Sequence, residues 1–134
     1  MSWFDPNLLV VTVPAHRDQL PGMRDRIQRW LSDRDIPATM RADIVLAAHE
    51  ALANSVEHAY RRRDEAGVMD LALMLDPDTV SFSVIDHGSW KHSVPAQGST
   101  RGHGLRLIRA LAGQVDLNRT SHGTALTAHF PRHD

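Results

Sequence analysis

The stretch His49-Glu50-Ala51-Leu52-Ala53-Asn54-Ser55-Val56-Glu57-His58 sets polar residues at a fixed spacing into an otherwise apolar helical segment. At about 3.6 residues per turn, Glu50, Asn54 and Glu57 fall at i, i+4 and i+7, so their side chains share one helix face. The opposite stripe, Ile44, Ala48, Ala51, Leu52 and Ser55, is small and mostly apolar and can lie flat on a sheet. A carboxylate and a carboxamide one turn apart can hold a water or hydroxyl beside a metal ion. Taken alone, the same residues more often describe a solvated helix face. The rest of the chain decides between the two.

Working outward, this helix is expected to start near Pro37 or Thr39, after the break at Asp35-Ile36-Pro37, and to run to about Tyr60. Upstream, a helix from about Asp18 tolerates Pro21 in its first turn and carries the stripe Leu20, Met23, Ile27, Trp30 and Leu31, with Arg24, Asp25, Arg26 and Arg29 on its other face. Leu8 to Val13, ended by Pro14, reads as an edge strand. Downstream, Arg61 to Gly67 is a polar connection. Val68–Leu75 and Val80–Ile85 alternate with the strand period around the turn Asp76-Pro77-Asp78, which predicts an antiparallel hairpin.

Asp86-His87-Gly88 follows directly, an acid at a strand end where a glycine opens the chain. Ser89 to Arg101 has no sustained period and is a loop of lid-like length. Arg101-Gly102-His103-Gly104 then precedes a short amphipathic helix expected from Leu105, with Ile108, Leu111 and Ala112 on its apolar side. Backbone amides at such glycines can converge on an anion at the positive end of a helix. A second hairpin closes the chain: Gln114 to Arg119, a turn at Ser121-His122-Gly123, and Thr124 to Phe130. The element order predicts an α+β two-layer sandwich, a mixed, mostly antiparallel sheet covered on one face by helices.

At 134 residues, residues 1–134 are expected to form one domain with a core of its own. A formal net charge of -1 removes the basic excess that sustains nucleic-acid affinity, so no direct nucleic-acid ligand is expected. No stretch approaches the roughly 18 uninterrupted apolar residues of a membrane span, and the N-terminus lacks the pattern of a secretory leader. The absence of cysteine excludes disulfides, zinc ribbons and thiol catalysis and fits a reducing compartment, so the expected location is the cytoplasm. The nine histidines show no metal-ligand spacing: His49-Glu50 lacks the second histidine of a zincin helix, and most of the nine are expected at the surface. A phosphate-binding P-loop sequence is absent as well.

Glu50-Ala-Leu-Ala-Asn54-Ser-Val-Glu-His-Ala-Tyr60, then Asp86-x-Gly88, Gly102-x-Gly104-Leu105 and Gly123-Thr124, resemble in order the four nucleotide boxes of the GHKL ATPases. Within that superfamily the wording of the first box resembles the bacterial anti-sigma-factor serine/threonine kinases. The resemblance covers essentially the whole chain. It implies that ATP and Mg²⁺ are the cofactors, that Asn54 coordinates the metal, and that Glu50 is the general base or orienting acceptor for the attacking hydroxyl.

The same resemblance implies that Asp86 accepts from the adenine amino group, with Thr124 in support and Gly88 leaving room for the ring. The run Arg101, Gly102, His103, Gly104 and Leu105 would approach the phosphates, Arg101 as a cationic contact. The implied activity is transfer of phosphate to Ser or Thr of a small STAS-type anti-sigma-factor antagonist, with a sigma factor as the sequestered partner. A homodimer would be consistent with the family, with the Leu8–Val13 edge as a contact. One departure stands out: where many members carry a second glycine after Asp-x-Gly, this chain has Trp90. The alternatives are a nucleotide-binding module that sequesters a partner without transferring phosphate, and an ATP-hydrolysing or histidine-kinase-type catalytic domain.

Overall fold

The computed structural model describes residues 5–61, 67–87, 101–120 and 123–132, with backbone alone at 61, 101–104 and 120. In chain order the elements are β1 (Leu8–Pro14), a single 3-10 turn (Arg17–Gln19), α1 (Leu20–Asp33), α2 (Ala38–Arg61), β2 (Val68–Leu75), β3 (Thr79–Asp86), α3 (Arg101–Leu111), β4 (Gln114–Thr120) and β5 (Gly123–Pro131). The expected polar connection after Arg61 lies largely outside the described residues. So do the lid-length loop, including Gly88 and Trp90, and the Ser121-His122 turn.

The strands form one five-stranded sheet in the order β1-β2-β3-β5-β4. The fold is the expected α+β sandwich, with one refinement: the sheet is antiparallel at each of its four pairings rather than mixed. The reason is that β5 enters between β3 and β4 and runs against both. β5 takes the interior position because it buries Leu126, Ala128 and Phe130, whereas the more polar β4 takes the edge, where unpaired backbone groups meet water. β1 holds the other edge, as its terminal proline predicts.

The core lies between the sheet and the helices. Period-two burial in β3 places Val80, Phe82, Val84 and Asp86 on one face, and Met69, Leu71 and Leu73 of β2 lie beside them. Met23, Ile27, Trp30 and Leu31 are the buried stripe of α1. From α2 come Ile44, Ala48, Ala51, Leu52 and Ser55, the stripe read from the sequence, joined by Ala47, His58 and Ala59. Small residues let α2 lie close on the sheet, flanked by α1 and α3. Helix α1 ends in a left-handed cap: Asp35 has φ 59°, the Ile36 N–H donates to the Leu31 carbonyl (3.2 Å) and the Asp35 N–H to that of Ser32 (3.1 Å). Ile36 and Leu31 are both buried, which supplies the apolar contact this cap requires.

Helix α3 starts at Arg101, four residues before the expected Leu105, so Gly102 and Gly104 lie in its first turn rather than before it. The first N–H groups of a helix have no intrahelical acceptor, so glycine there sacrifices little.

Among the described residues no helix covers the opposite sheet face, which is stitched by side chains. Ser83 bonds Thr127 (2.8 Å), and a chain runs from Ser81 to His129 (3.0 Å) and on to Asp116 (3.1 Å). Although the residue types match a hydrolytic triad, the flanking backbone N–H groups of β3 and β5 are engaged in strand pairing and cannot stabilise an oxyanion. The chain cross-links three strands. Among the described residues, no helix is long and apolar enough to cross a membrane.

Candidate functional site

The site is built where β3, β5 and β4 end together beneath α2. In the register of the sheet Asp86 of β3 faces Thr124 of β5, and Thr124 in turn faces Arg119 of β4. Asp86 shares the parity of Phe82 and Val84, and Thr124 that of Leu126 and Ala128, so both residues stand on the helix-covered side. There they line an open cleft enclosing about 550 Å³ of empty space, part of it continuous with solvent. Ala51, Asn54, Ser55 and His58 of α2 form one wall, Val84 and Leu126 the floor, and Leu105, Leu117 and Arg119 the remainder.

Two polar features mark the inner end. Oδ2 of Asp86 lies 2.6 Å from Nδ1 of His58, and both side chains are almost fully buried, at 8% and 3% exposure. A carboxylate in its ionised form only accepts, and the bond then requires the proton on Nδ1 of His58. Next to this pair, Oγ1 of Thr124 is buried and has no hydrogen-bond partner among the described residues. Buried hydroxyls are nearly always bonded, and one left open on a cleft wall fits a polar ligand.

Gly123 completes the inner end. Its φ is +153°, and a Cβ there would collide with the carbonyl oxygen of Asp86 and lie 3.1 Å from Cα of His87. The bare backbone of β5 therefore packs directly on the turn that presents Asp86. On the outer sheet face, His87 is held by a hydrogen bond from Nε2 to Asp70, whose other oxygen accepts from Thr12. Burial alone would raise the Asp70 carboxyl, but the bonds from Thr12 and His87 and the charge of His87 outweigh it and hold the group below the ordinary 3.8.

Of the residues singled out in the sequence, Asn54, Asp86, Leu105 and Thr124 line the one cleft. Glu50, half-buried one turn from Asn54, is not among its lining residues. The backbone of Arg101, Gly102, His103 and Gly104 forms the first turn of α3, and Gly88 lies outside the described residues. The sequence reading missed His58, Ser55, Leu117 and Arg119. His58 departs from the expectation of surface histidines, and its position i+4 from Asn54 was the available signal.

The arrangement fits an adenine nucleotide: a carboxylate acceptor, an open hydroxyl, apolar walls for a flat ring, and a helix start nearby for anionic groups. No group of three or more acidic or histidine side chains that could hold a metal is found among the described residues. A magnesium ion that takes most of its ligands from phosphate and water suits a single carboxamide such as Asn54.

Comparison with known proteins agrees. The Halalkalibacterium halodurans serine-protein kinase RsbW is 28% identical over 155 aligned residues, covering all of this chain and 90% of that protein. Among solved structures, the RsbU and RsbW domains of a Mycobacterium tuberculosis protein superpose with a TM-score of 0.74 at 27% identity. That match covers 93% of this chain, which spans about a third (32%) of the longer mycobacterial one. The Pseudomonas aeruginosa SiaB–SiaC complex matches with a TM-score of 0.73 over 93% of this chain and 90% of its own, at an identity of 13% that speaks to fold alone. The family model described as the histidine kinase-like ATPase domain matches residues 13–130, and with the cleft it finds its explanation: this chain belongs to that family, with a distant similarity to the serine-protein kinase RsbW along its whole length.

Proposed function

We propose that this single-domain chain is an ATP-dependent serine/threonine protein kinase that acts as an anti-sigma factor in the cytoplasm. It would sequester a sigma factor and phosphorylate a STAS-type antagonist. The observation that carries the nucleotide half is the pairing of Asp86 with Thr124 at the inner end of the cleft, a carboxyl beside a buried hydroxyl that has no partner among the described residues. The partner half is supported by the relationship to RsbW kinases.

In this reading Asp86 accepts from the adenine amino group and Thr124 adds a second polar contact. Asn54 would hold the metal, and Gly102 and Gly104 would let the first turn of α3 come close to the phosphates; by the family resemblance Arg101, His103, Leu105 and Gly88 would also contribute to nucleotide binding. Mg²⁺ would supply charge neutralisation at the phosphate oxygens. Phosphoryl transfer depends mainly on such positioning and electrostatics, and Glu50 orients the attacking hydroxyl. The placement of Glu50 outside the cleft lining supports a second reading, a nucleotide-binding module that sequesters its partner without transfer.

The test is calorimetric titration with ATP, with and without Mg²⁺, followed by transfer assays on a STAS-type antagonist. Glu50→Ala retains nucleotide binding and loses transfer, whereas Asp86→Ala loses binding. Asn54→Ala weakens binding only in the presence of Mg²⁺. A wild-type protein that binds Mg-ATP and never transfers phosphate establishes the second reading; one that binds no nucleotide overturns both.

A further inference from the structure

The buried His58–Asp86 bond ties the helical layer to the sheet inside the cleft, and its role goes beyond packing. His58 follows Asn54 by one turn of α2, and its neighbours Ser55 and Ala59 are buried against the sheet, so the imidazole sits on a fixed platform. Asp86 is fixed from the other side: its backbone lies under Gly123, and the adjoining His87 is tied to Asp70 on the outer face. With both partners held, the 2.6 Å contact sets the plane of the carboxylate that lines the cleft.

We propose that His58 is the positioning residue that sets base selectivity. By donating its Nδ1–H to Oδ2 it keeps Asp86 a pure acceptor, so that the cleft takes a purine bearing an amino group at C6 and rejects one bearing a carbonyl there. The inference rests on the nucleotide reading above.

The chemistry is one of donor counting. An ionised carboxylate has no proton to give, so it pairs with an amino group and repels a carbonyl oxygen. Without the imidazole the carboxylate would stay buried with one donor fewer, and burial favours the neutral acid. A neutral carboxyl both donates and accepts, and it would accommodate either substituent. Loss of His58 therefore erodes discrimination more than it erodes affinity.

Base selectivity is read as the ratio of affinities for ATP and inosine triphosphate, which replaces the C6 amino group by a carbonyl. The wild-type ratio is expected at about tenfold or more, the scale on which a buried site rejects a mismatched polar group. In His58→Leu the ratio falls toward one. His58→Asn, whose side-chain amide nitrogen occupies nearly the place of Nδ1, keeps it.

Equal loss of both affinities in His58→Leu with the ratio intact would reveal a purely structural residue and overturn the proposal. A His58→Asn variant that loses the ratio, or a wild type indifferent to the C6 substituent, does the same while leaving the ATP site standing. A wild type that binds neither nucleotide instead removes the nucleotide reading itself. Should His58→Leu fail to fold by circular dichroism, nitrogen NMR of the wild-type imidazole decides: Nδ1 must carry a proton, and an unprotonated Nδ1 overturns the assignment.

Discussion

Gly123 and Asp86 meet backbone to backbone: a methyl group added to Gly123 would collide with the carbonyl oxygen of Asp86 and come within 2.9 Å of its carbonyl carbon. No side-chain rotation can relieve that contact, because the obstructing atoms belong to the neighbouring strand. Gly123→Ala must therefore push apart the ends of β3 and β5, and its φ of +153° adds strain for any residue with a Cβ. The expected outcome is a loss of about 2–4 kcal/mol of stability together with nucleotide binding, measured by urea unfolding and calorimetry. Unchanged binding would show that the Asp86 turn need not be fixed.

Thr124→Val should separate stability from function. Its hydroxyl is buried without a partner among the described residues, a cost of about 1–3 kcal/mol to the unliganded protein that an isosteric methyl group removes. The variant is expected to melt higher than wild type in the absence of ligand and to bind ATP more weakly. A lower melting temperature would show that the hydroxyl is already satisfied.

The acid limb of stability should depend on Asp70. Its carboxyl is held below the ordinary value by Thr12 and His87, so its contribution is fully present above that ordinary value of 3.8 and is lost as the pH falls through the lower folded value. Asp70→Asn, which cannot titrate, is expected to be less stable than wild type at pH 5 and to lose less on acidification to pH 2. Urea midpoints at the two pH values check this; parallel losses in both proteins would remove Asp70 as a contributor.

At the α1 cap, Asp35 adopts a left-handed conformation that a side chain disfavours. Asp35→Gly should stabilise the protein by about 0.5–1 kcal/mol, the relief of strain being offset in part by the freer unfolded chain. A destabilised variant would mean that the Asp35 side chain makes a compensating contact.

How much was legible beforehand follows the range of the interactions. Periodicities of a few residues placed α2 and its buried stripe, both hairpins, and the proline-ended edge strand, because each depends on neighbours along the chain. The start of α3 was misplaced by two glycines whose low helix propensity matters little in a first turn, and the α1 cap was hidden because aspartate stands where glycine usually signals it. Asp86 and Thr124 were joined only by the family resemblance; that they face one another depends on β5 slipping between β3 and β4. The His58–Asp86 bond spans the two layers of the sandwich. No local pattern reports such a bond, and it took the docking of α2 on the sheet to reveal it.

The strand order has a consequence for folding. β3 and β5 are not consecutive, and the whole of α3 and β4 must be laid down before they can pair. The local hairpins β2–β3 and β4–β5 can form early, but the Asp86–Thr124 contact has to wait for this long-range closure. The nucleotide cleft is thus absent from any partly folded chain in which only the hairpins have formed. A ligand that enters it grips a seam made by long-range pairing, so binding energy is felt as resistance of the whole sheet to coming undone.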